Sequence, residues 1–482
     1  MRKASQMFLA LFVLLVYGRI SAQQNITDKI KVFFNHPVDT SFSTTGIYAT
    51  FITNTLSDTM SAYINRAKYT VDVAQYDYTA NNTSGVGEFA AAINNAYARG
   101  VKVRWICDGA APNSGMNLLS SNIPTLPSPT GGNYNIMHNK FIIIDANSPD
   151  STNAIVWTGS SDWSVWMNAS DYNNNLSIQS KALAKVYTQE FDIMWGDTVH
   201  GGAPNLALSK FGPYKTKVTG GHVFTIGGST VEVYFSPTDS VNNQILSHIA
   251  TAKTDIYSAM YAFSETSDAN MIVTTVKNGA FAAAIMDQYS LQYGAFTIMS
   301  NYLASNLTIY SGSDIYHDKY LIIDPSNPCS DPMVLTGSHN WTATANSTND
   351  ENTIIIHNDT IANLYLQSFA EDFNVISGGP LSRVTVPCAL GIARLNNNSA
   401  SVEVYPNPYS DKATINYTLA DAEKVSASVY DIMGQKITTL VADEMQDAGM
   451  HQLEFRGALA GVYVLKLQVG QNSLVQKLVQ VK

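Results

Sequence analysis

One pattern of chemistry-bearing residues is written twice in this chain. His138-Asn139-Lys140 is followed by four residues and then Asp145; His317-Asp318-Lys319 is followed by four residues and then Asp324. A Thr-Gly-Ser turn comes after each copy, at Thr158-Gly159-Ser160 and Thr336-Gly337-Ser338. Phosphodiesters resist attack because they are anionic. A catalyst must neutralise the oxygens, supply a nucleophile and protonate the leaving group. Lys140 and Lys319 bring the charge. The hydroxyls of Ser160 and Ser338, with the Asn340 amide, can donate to a bound phosphate. One neutral histidine can attack phosphorus and become a phosphohistidine. The other, protonated, can give its proton to the leaving oxygen and then activate water. This scheme requires no cofactor and no metal, and no ligand cluster demands one.

On a strand, residues i and i+2 face the same side. His138 and Lys140 are therefore expected to reach into one pocket, as are His317 and Lys319. Asp145 and Asp324 lie farther along and are expected to support local structure. A single His-x-Lys is a weak signal, because such residues often flank a strand in solvent; the doubling is what gives it weight. Trp163 and Trp341 read as packing for the turns. His36, His248 and His357 read as ordinary single histidines.

The elements that must carry these residues repeat as well. His138 and His317 are 179 residues apart, as are Gly100 and Gly279, and Asp108 and Asp287, while Gly159 and Gly337 are separated by 178. Each half reads strand, helix, strand, helix, strand, long loop, strand, strand. In the first half these include a helix through Leu56, Met60 and Ile64, a strand at 70–78, a helix at 89–99 stopped by Gly100, and a strand at 101–107. The second half repeats them at 231–235, 245–252, 255–263, 270–277 and 282–286. Strands alternating with helices predict an α/β fold, a sheet in each half with helices on its faces. The apolar runs Phe141–Ile144 and Tyr320–Ile323 are continuous, which predicts central strands buried on both sides.

At 482 residues the chain is long enough for several domains, and with 45% hydrophobic and 14% charged residues it is composed for folding. Its net charge of −10 argues against a bulk binder of polyanions, so no stable nucleic-acid partner is expected. Arg2 and Lys3, an apolar run from Met7 to Val16 and the small residues Ser21-Ala22 read as a signal peptide at 1–22, too short to span a bilayer. The first half is placed at 23–200, a connection at 201–230, the second half at 231–395 and an all-β module at 401–482. Cys107 reads as a small core hydrophobe. Cys329 and Cys388 both follow prolines and could pair in an oxidising compartment. A monomer is expected.

Residues 30–385 resemble the phospholipase D superfamily, whose signature is His-x-Lys, four residues, Asp, and then a Gly-Ser turn. The second copy is the fuller match, with Gly337-Ser338-His339-Asn340-Trp341-Thr342 continuing to Asn349-Asp350-Glu351-Asn352. The resemblance implies two pseudo-symmetric sandwich-like halves sharing one site at their interface. It also implies that Glu351 orients His138 across that interface, making His138 the nucleophile and His317 the acid and base. The first copy departs from the pattern. Asp162 stands where the second has Asn340, and Asn174 where it has Glu351 with one residue inserted, which leaves His317 without a carboxylate partner.

Tyr405-Pro406-Asn407-Pro408, Asp431-Ile432-Met433-Gly434-Gln435 and Ala460-Gly461-Val462-Tyr463-Val464-Leu465-Lys466 resemble, in that order, the C-terminal sorting domain of type IX secretion cargo. That implies an immunoglobulin-like β-sandwich, handling by the type IX machinery across a Gram-negative outer membrane, removal of the tail, and release or surface attachment. The expectation is an exported phosphodiesterase acting on phospholipid headgroup esters. A nuclease of the same superfamily is the alternative, and a surface adhesin with a decayed site, suggested by Asp162 and Asn174, is the third reading.

Overall fold

A computed structural model describes residues 29–80, 87–385, 400–419, 422–431, 435–457, 459–470 and 472–481. The expected signal peptide, Cys388 and with it the expected pairing to Cys329, and the expected boundary at 395 lie outside them. The chain divides into two units, Met1–Pro387 and Cys388–Lys482. Among the described residues, no helix is long and apolar enough to cross a membrane.

Leaving aside two-residue strands and the shortest helices, the first half runs β1 (Ile30–Phe34), α1 (Leu56–Asn65), β2 (Thr70–Gln75), α2 (Gly87–Ala98), β3 (Lys102–Cys107), β4 (Thr125–Pro127), β5 (Lys140–Ile144), β6 (Ile155–Gly159), β7 (Asn174–Gln179) and α3 (Lys181–Trp195). The second runs β8 (Val223–Ile226), β9 (Ser229–Ser236), α4 (Val241–Ile249), β10 (Asp255–Met260), α5 (Thr266–Lys277), β11 (Phe281–Asp287), α6 (Gly294–Leu303), β12 (Leu307–Tyr310), β13 (Lys319–Ile323), β14 (Met333–Gly337), β15 (Glu351–His357) and α7 (Asp359–Ser377). The first sheet is ordered β1-β7-β6-β5-β2-β3-β4 and the second β8-β9-β15-β14-β13-β10-β11-β12. Apart from the extra edge strand β8, the two sheets have one topology. Both are mixed: β2 pairs parallel with β3 and antiparallel with β5, and β10 pairs likewise with β11 and β13.

The apolar runs after the histidines form β5 and β13, in the middle of each sheet. Phe141 and Ile143 face a central core shared by both halves, and Ile142 and Ile144 face an outer core under α1 and α2. Tyr320 and Ile322 likewise face the shared core, with Leu321 and Ile323 under α4, α5 and α6. The shared core is filled by α3 and α7, with Tyr187, Phe191, Trp195, Tyr365, Phe369 and Phe373 buried together.

These two helices were not anticipated, although their signals stand in the sequence. Ser180 and Asn358 cap their N-termini by accepting from the Leu183 and Ile361 amides, and Gly196 and Gly378 end them in the left-handed conformation. The connection at 201–230 also differs from expectation. It contains β8 and the start of β9, and it is anchored to both halves: the buried Lys215 ammonium pairs with Glu190 and with Asp350 (2.8 Å), and the Gly212 amide donates to Asp350 Oδ1 at 2.7 Å. Cys107 is a buried free thiol in β3.

The second unit has β16 (Ala400–Tyr405), β17 (Ala413–Leu419), β18 (Glu423–Asp431), β19 (Lys436–Gln446), β20 (Gly449–Phe455), β21 (Gly461–Val469) and β22 (Asn472–Gln480). They form a three-stranded sheet, β16-β17-β20, and a four-stranded sheet, β19-β18-β21-β22. Alternate residues of both, such as Ile415 and Tyr417 against Val425, Ala427, Leu465 and Leu467, meet in one core, which makes a sandwich.

Candidate active site

The segment before each histidine is fixed twice. Asp108, at the end of β3, accepts the Met137 amide on Oδ2 at 2.8 Å; Asp287, at the end of β11, accepts the Tyr316 amide at 3.0 Å. This is the use of the aspartates that repeat along the chain. The same segments then pair with the other half. The His138 amide donates to the Asp350 carbonyl at 2.9 Å, the Asp350 amide to the Ile136 carbonyl at 3.0 Å, and the Tyr172 amide to the Ile315 carbonyl at 3.0 Å.

The site is therefore built across the interface. His138 Nδ1 lies 2.8 Å from Glu351 Oε2, on the opposite half. His317 Nδ1 lies 3.1 Å from Asn173 Oδ1, again on the opposite half. Ser338 Oγ donates to Glu351 Oε2 at 2.6 Å and accepts the Asn352 amide at 3.0 Å; Ser160 Oγ donates to Asn173 Oδ1 at 2.9 Å and accepts the Asn174 amide at 3.1 Å. The counterpart of Glu351 is thus Asn173, with no insertion, and not Asn174. Asn174 matches Asn352: its Nδ2 donates to Asp318 Oδ1 at 2.6 Å, and its Oδ1 accepts from Thr336 at 2.8 Å and Tyr365 at 2.9 Å. The serine hydroxyls hold the groups that orient the imidazoles and are committed there, instead of facing a bound phosphate.

Both imidazoles open onto one cleft of about 590 Å³, lined also by Tyr76, Asp162, Tyr261, Tyr289, Tyr293 and Asn340. Lys140 Nζ sits 2.5 Å from Asp162 Oδ1 and 4.8 Å from the centre of the Tyr76 ring. Lys319 Nζ donates to the His317 carbonyl at 2.8 Å and lies 5.3 Å from the Tyr261 ring. Tyr76 packs against His138 (4.9 Å between ring centres) and Tyr261 against His317 (5.4 Å). These tyrosines and Asn173 escaped the sequence reading. The tyrosines follow directly on β2 and β10, a repeated position that could have revealed them. Asp162 answers the question its position raised: it is paired with Lys140 and lies 3.6 Å from His317 Nε2.

Asp145 and Asp324 are outside the cleft lining. Each has a left-handed backbone (φ 54° and 52°). Asp145 accepts the amides of Lys68, Tyr69 and Thr70 at 2.7–2.9 Å, and Asp324 those of Lys253, Thr254 and Asp255 at 2.8–3.1 Å. They close the turn that leads into β2 and β10. Trp163 is buried against Phe89 (4.4 Å between ring centres) and Trp341 against Phe263 (4.9 Å), so both pack the turns.

Burial dominates the electrostatics. It holds the His138 imidazole well below its ordinary range, with the Lys140 charge adding to the effect, and does the same to His317, with Lys319 adding. Burial, with repulsion from Lys140, brings the Lys319 ammonium down to about 7. Burial pushes the Glu351 carboxyl up to about 7, against the pull of His339, Asn349, Ser338 and Lys140. A neutral imidazole whose Nδ1–H is held by a carboxylate presents its Nε2 lone pair outward, the state a nucleophile needs.

The family described as "Cardiolipin synthase, PLD-like domain" matches residues 60–195 and 245–373, and the "Secretion system C-terminal sorting domain" matches 403–482. A phospholipase D of Rickettsia bellii is 27% identical over 152 residues, 31% of this chain and 71% of its own. A mitochondrial cardiolipin hydrolase of Xenopus tropicalis is 31% identical over 109 residues, 22% of this chain and 48% of its own. Among solved structures, Nuc of Salmonella typhimurium, a phospholipase D family member, is 28% identical with a TM-score of 0.27, covering 33% of this chain and 99% of that one. Phosphatidylserine synthase of Haemophilus influenzae is 13% identical with a TM-score of 0.48, covering 72% of this chain and 86% of that one. The two matched segments together span more than half of the residues and contain both histidines, both lysines, Asn173 and Glu351, so the chain belongs to the phospholipase D-like family and carries a secretion sorting domain at its C-terminus.

Proposed function

We propose that this protein is an exported phosphodiesterase that works through a phosphohistidine on His138. The observation that carries the reading is the His138–Glu351 contact across the interface, on a cleft that also receives His317. Glu351 takes the Nδ1 hydrogen bond and aims Nε2 at phosphorus. The bound phosphodiester anion favours a protonated imidazole at His317, against the effect of burial, and as the P–O bond to the leaving group breaks His317 gives that proton to the departing oxygen. His317 then takes a proton from water, whose oxygen attacks phosphorus and returns the His138 imidazole. Lys140 and Lys319 offset the charge on the non-bridging oxygens. The sorting domain supports delivery by the type IX machinery.

The substrate we favour is a phospholipid headgroup ester. Lys140 is already balanced by Asp162, and beyond the two motif lysines no arginine or lysine borders the cleft among the described residues, so no basic track leads a polyanion to it. A carboxylate beside tyrosine faces is a setting for an ammonium headgroup. One observation favours the nuclease reading: Tyr261 and Tyr289 stack at 5.4 Å and Tyr289 lies 5.7 Å from Tyr293, a platform on which bases could stack. Assays of the purified protein on phosphatidylcholine and on single-stranded DNA separate the two, choline release supporting the first and strand cleavage the second. In either case a stopped reaction should yield phosphoenzyme, absent from His138→Ala and accumulating in His317→Ala. Undiminished turnover by His138→Ala would refute the mechanism.

A further inference from the structure

We propose that Glu232, His248 and His357 form a binding site for a zinc-class divalent cation, apart from the catalytic cleft. Glu232 stands on β9, His248 in the last turn of α4, and His357 at the end of β15, a strand paired with β9. Glu232 Oε1 is 3.5 Å from His248 Nε2 and 3.0 Å from His357 Nε2, and the three ligand atoms all lie within 4.8 Å of one another. A tetrahedral zinc ion with bonds of 2.0–2.1 Å spaces its ligands by about 3.3 Å. The two spacings from Glu232 already match that value, and the spacing between the histidines is within 4.8 Å, so a small rotamer adjustment of the rings would complete the site.

The hydrogen bonds around them set which ring nitrogen would ligate. His248 Nδ1 lies 2.7 Å from the Gln244 carbonyl and His357 Nδ1 lies 2.9 Å from Asp331 Oδ2. Both neighbours only accept, so each Nδ1 carries the hydrogen, and in the neutral rings each Nε2 is a lone pair. Both lone pairs point at the same carboxylate oxygen. That is repulsive unless each ring takes a second proton or a cation sits among them. The other oxygen, Glu232 Oε2, is held by the Tyr234 hydroxyl at 2.6 Å, leaving Oε1 for a single bond. An acceptor behind each histidine is the usual support of a metal ligand. Two imidazoles and one carboxylate suit zinc or its neighbours and not calcium or magnesium. The three side chains are 12–15% exposed, so water can complete the coordination. The cation would tie α4 to β9 and β15.

The test uses the full chain, stripped with chelator and desalted, then titrated with zinc chloride by calorimetry. One equivalent should bind, and the melting temperature should rise with zinc. Cobalt(II) should give the visible absorption of a four-coordinate site. Glu232→Gln, which keeps the shape and the Tyr234 contact, and His357→Ala should each weaken binding by more than about tenfold and remove the cobalt band. A His138→Ala/His317→Ala double variant should keep the equivalent. The proposal is overturned if the native chain binds no equivalent, if binding persists in Glu232→Gln and His357→Ala, or if it is lost in the double variant. In the first case the group is a protonated ion-pair cluster.

Discussion

Two groups at the site titrate near neutrality, and they act in opposite directions. Glu351, at about 7, must lose its proton before it can hold the His138 Nδ1–H as a carboxylate, so kcat/KM rises as pH rises through 7. Lys319, also at about 7, loses its charge as pH rises through the same region, so kcat/KM falls. His317, the acid, is held below its ordinary range and also loses its proton as pH rises, adding to the falling limb, so the expected profile is a narrow bell. A bound phosphodiester anion favours the charged lysine, so the falling limb of kcat should lie at higher pH than that of kcat/KM. Glu351→Gln should lower kcat by about ten-thousandfold, by analogy with the orienting carboxylate of a triad, and should abolish the rising limb. A rising limb that survives in this variant would assign it to another group. Asp162 sets charge. Asp162→Asn removes one negative charge beside Lys140 and should tighten inorganic phosphate, measured as a competitive inhibitor, by about tenfold. If the carboxylate also receives an ammonium headgroup, the same variant should raise KM for phosphatidylcholine.

At the scale of elements, each repeated motif joins a chemical piece to a structural one. His and Lys leave the start of β5 and β13 on the cleft side. The aspartate at the far end accepts three amides from the turn into the neighbouring strand. Asp324→Ala loses those bonds and puts a Cβ-bearing residue without a local acceptor in a left-handed conformation. A loss of about 2–4 kcal/mol in denaturant unfolding is expected, with active-site residues untouched. Asp324→Asn should recover part of it, because its carboxamide oxygen still accepts and asparagine tolerates this backbone.

At the scale of the molecule, the first unit folds as one body because its two sheets share a core. Phe141, Ile143, Tyr320 and Ile322 meet α3 and α7 there, and Lys215 in the connection is buried between Glu190 and Asp350. Expressed alone, residues 23–200 should expose one face of their sheet and fail to give a cooperative transition. Mixing with the other half should restore it, followed by circular dichroism. The second unit has its own core, so removing residues 401–482 should leave the unfolding temperature and turnover of the first unit unchanged.

The sequence by itself determined the duplication, the α/β class, the central strands and the identity of the paired imidazoles and lysines. These are written in local periodicity and in residue types at fixed offsets. The repeat also named Asp108 and Asp287 without revealing that they hold the amides before the histidines. Only the tertiary structure decided which groups meet across the interface. Glu351 and Asn173 reach histidines of the opposite half, the serine hydroxyls turn to those orienting groups, Asp162 neutralises Lys140, and His248 and His357 converge on Glu232. Such contacts join residues more than a hundred positions apart, or settle which way a short polar side chain turns. Both depend on how the sheets and helices pack, which no local pattern records.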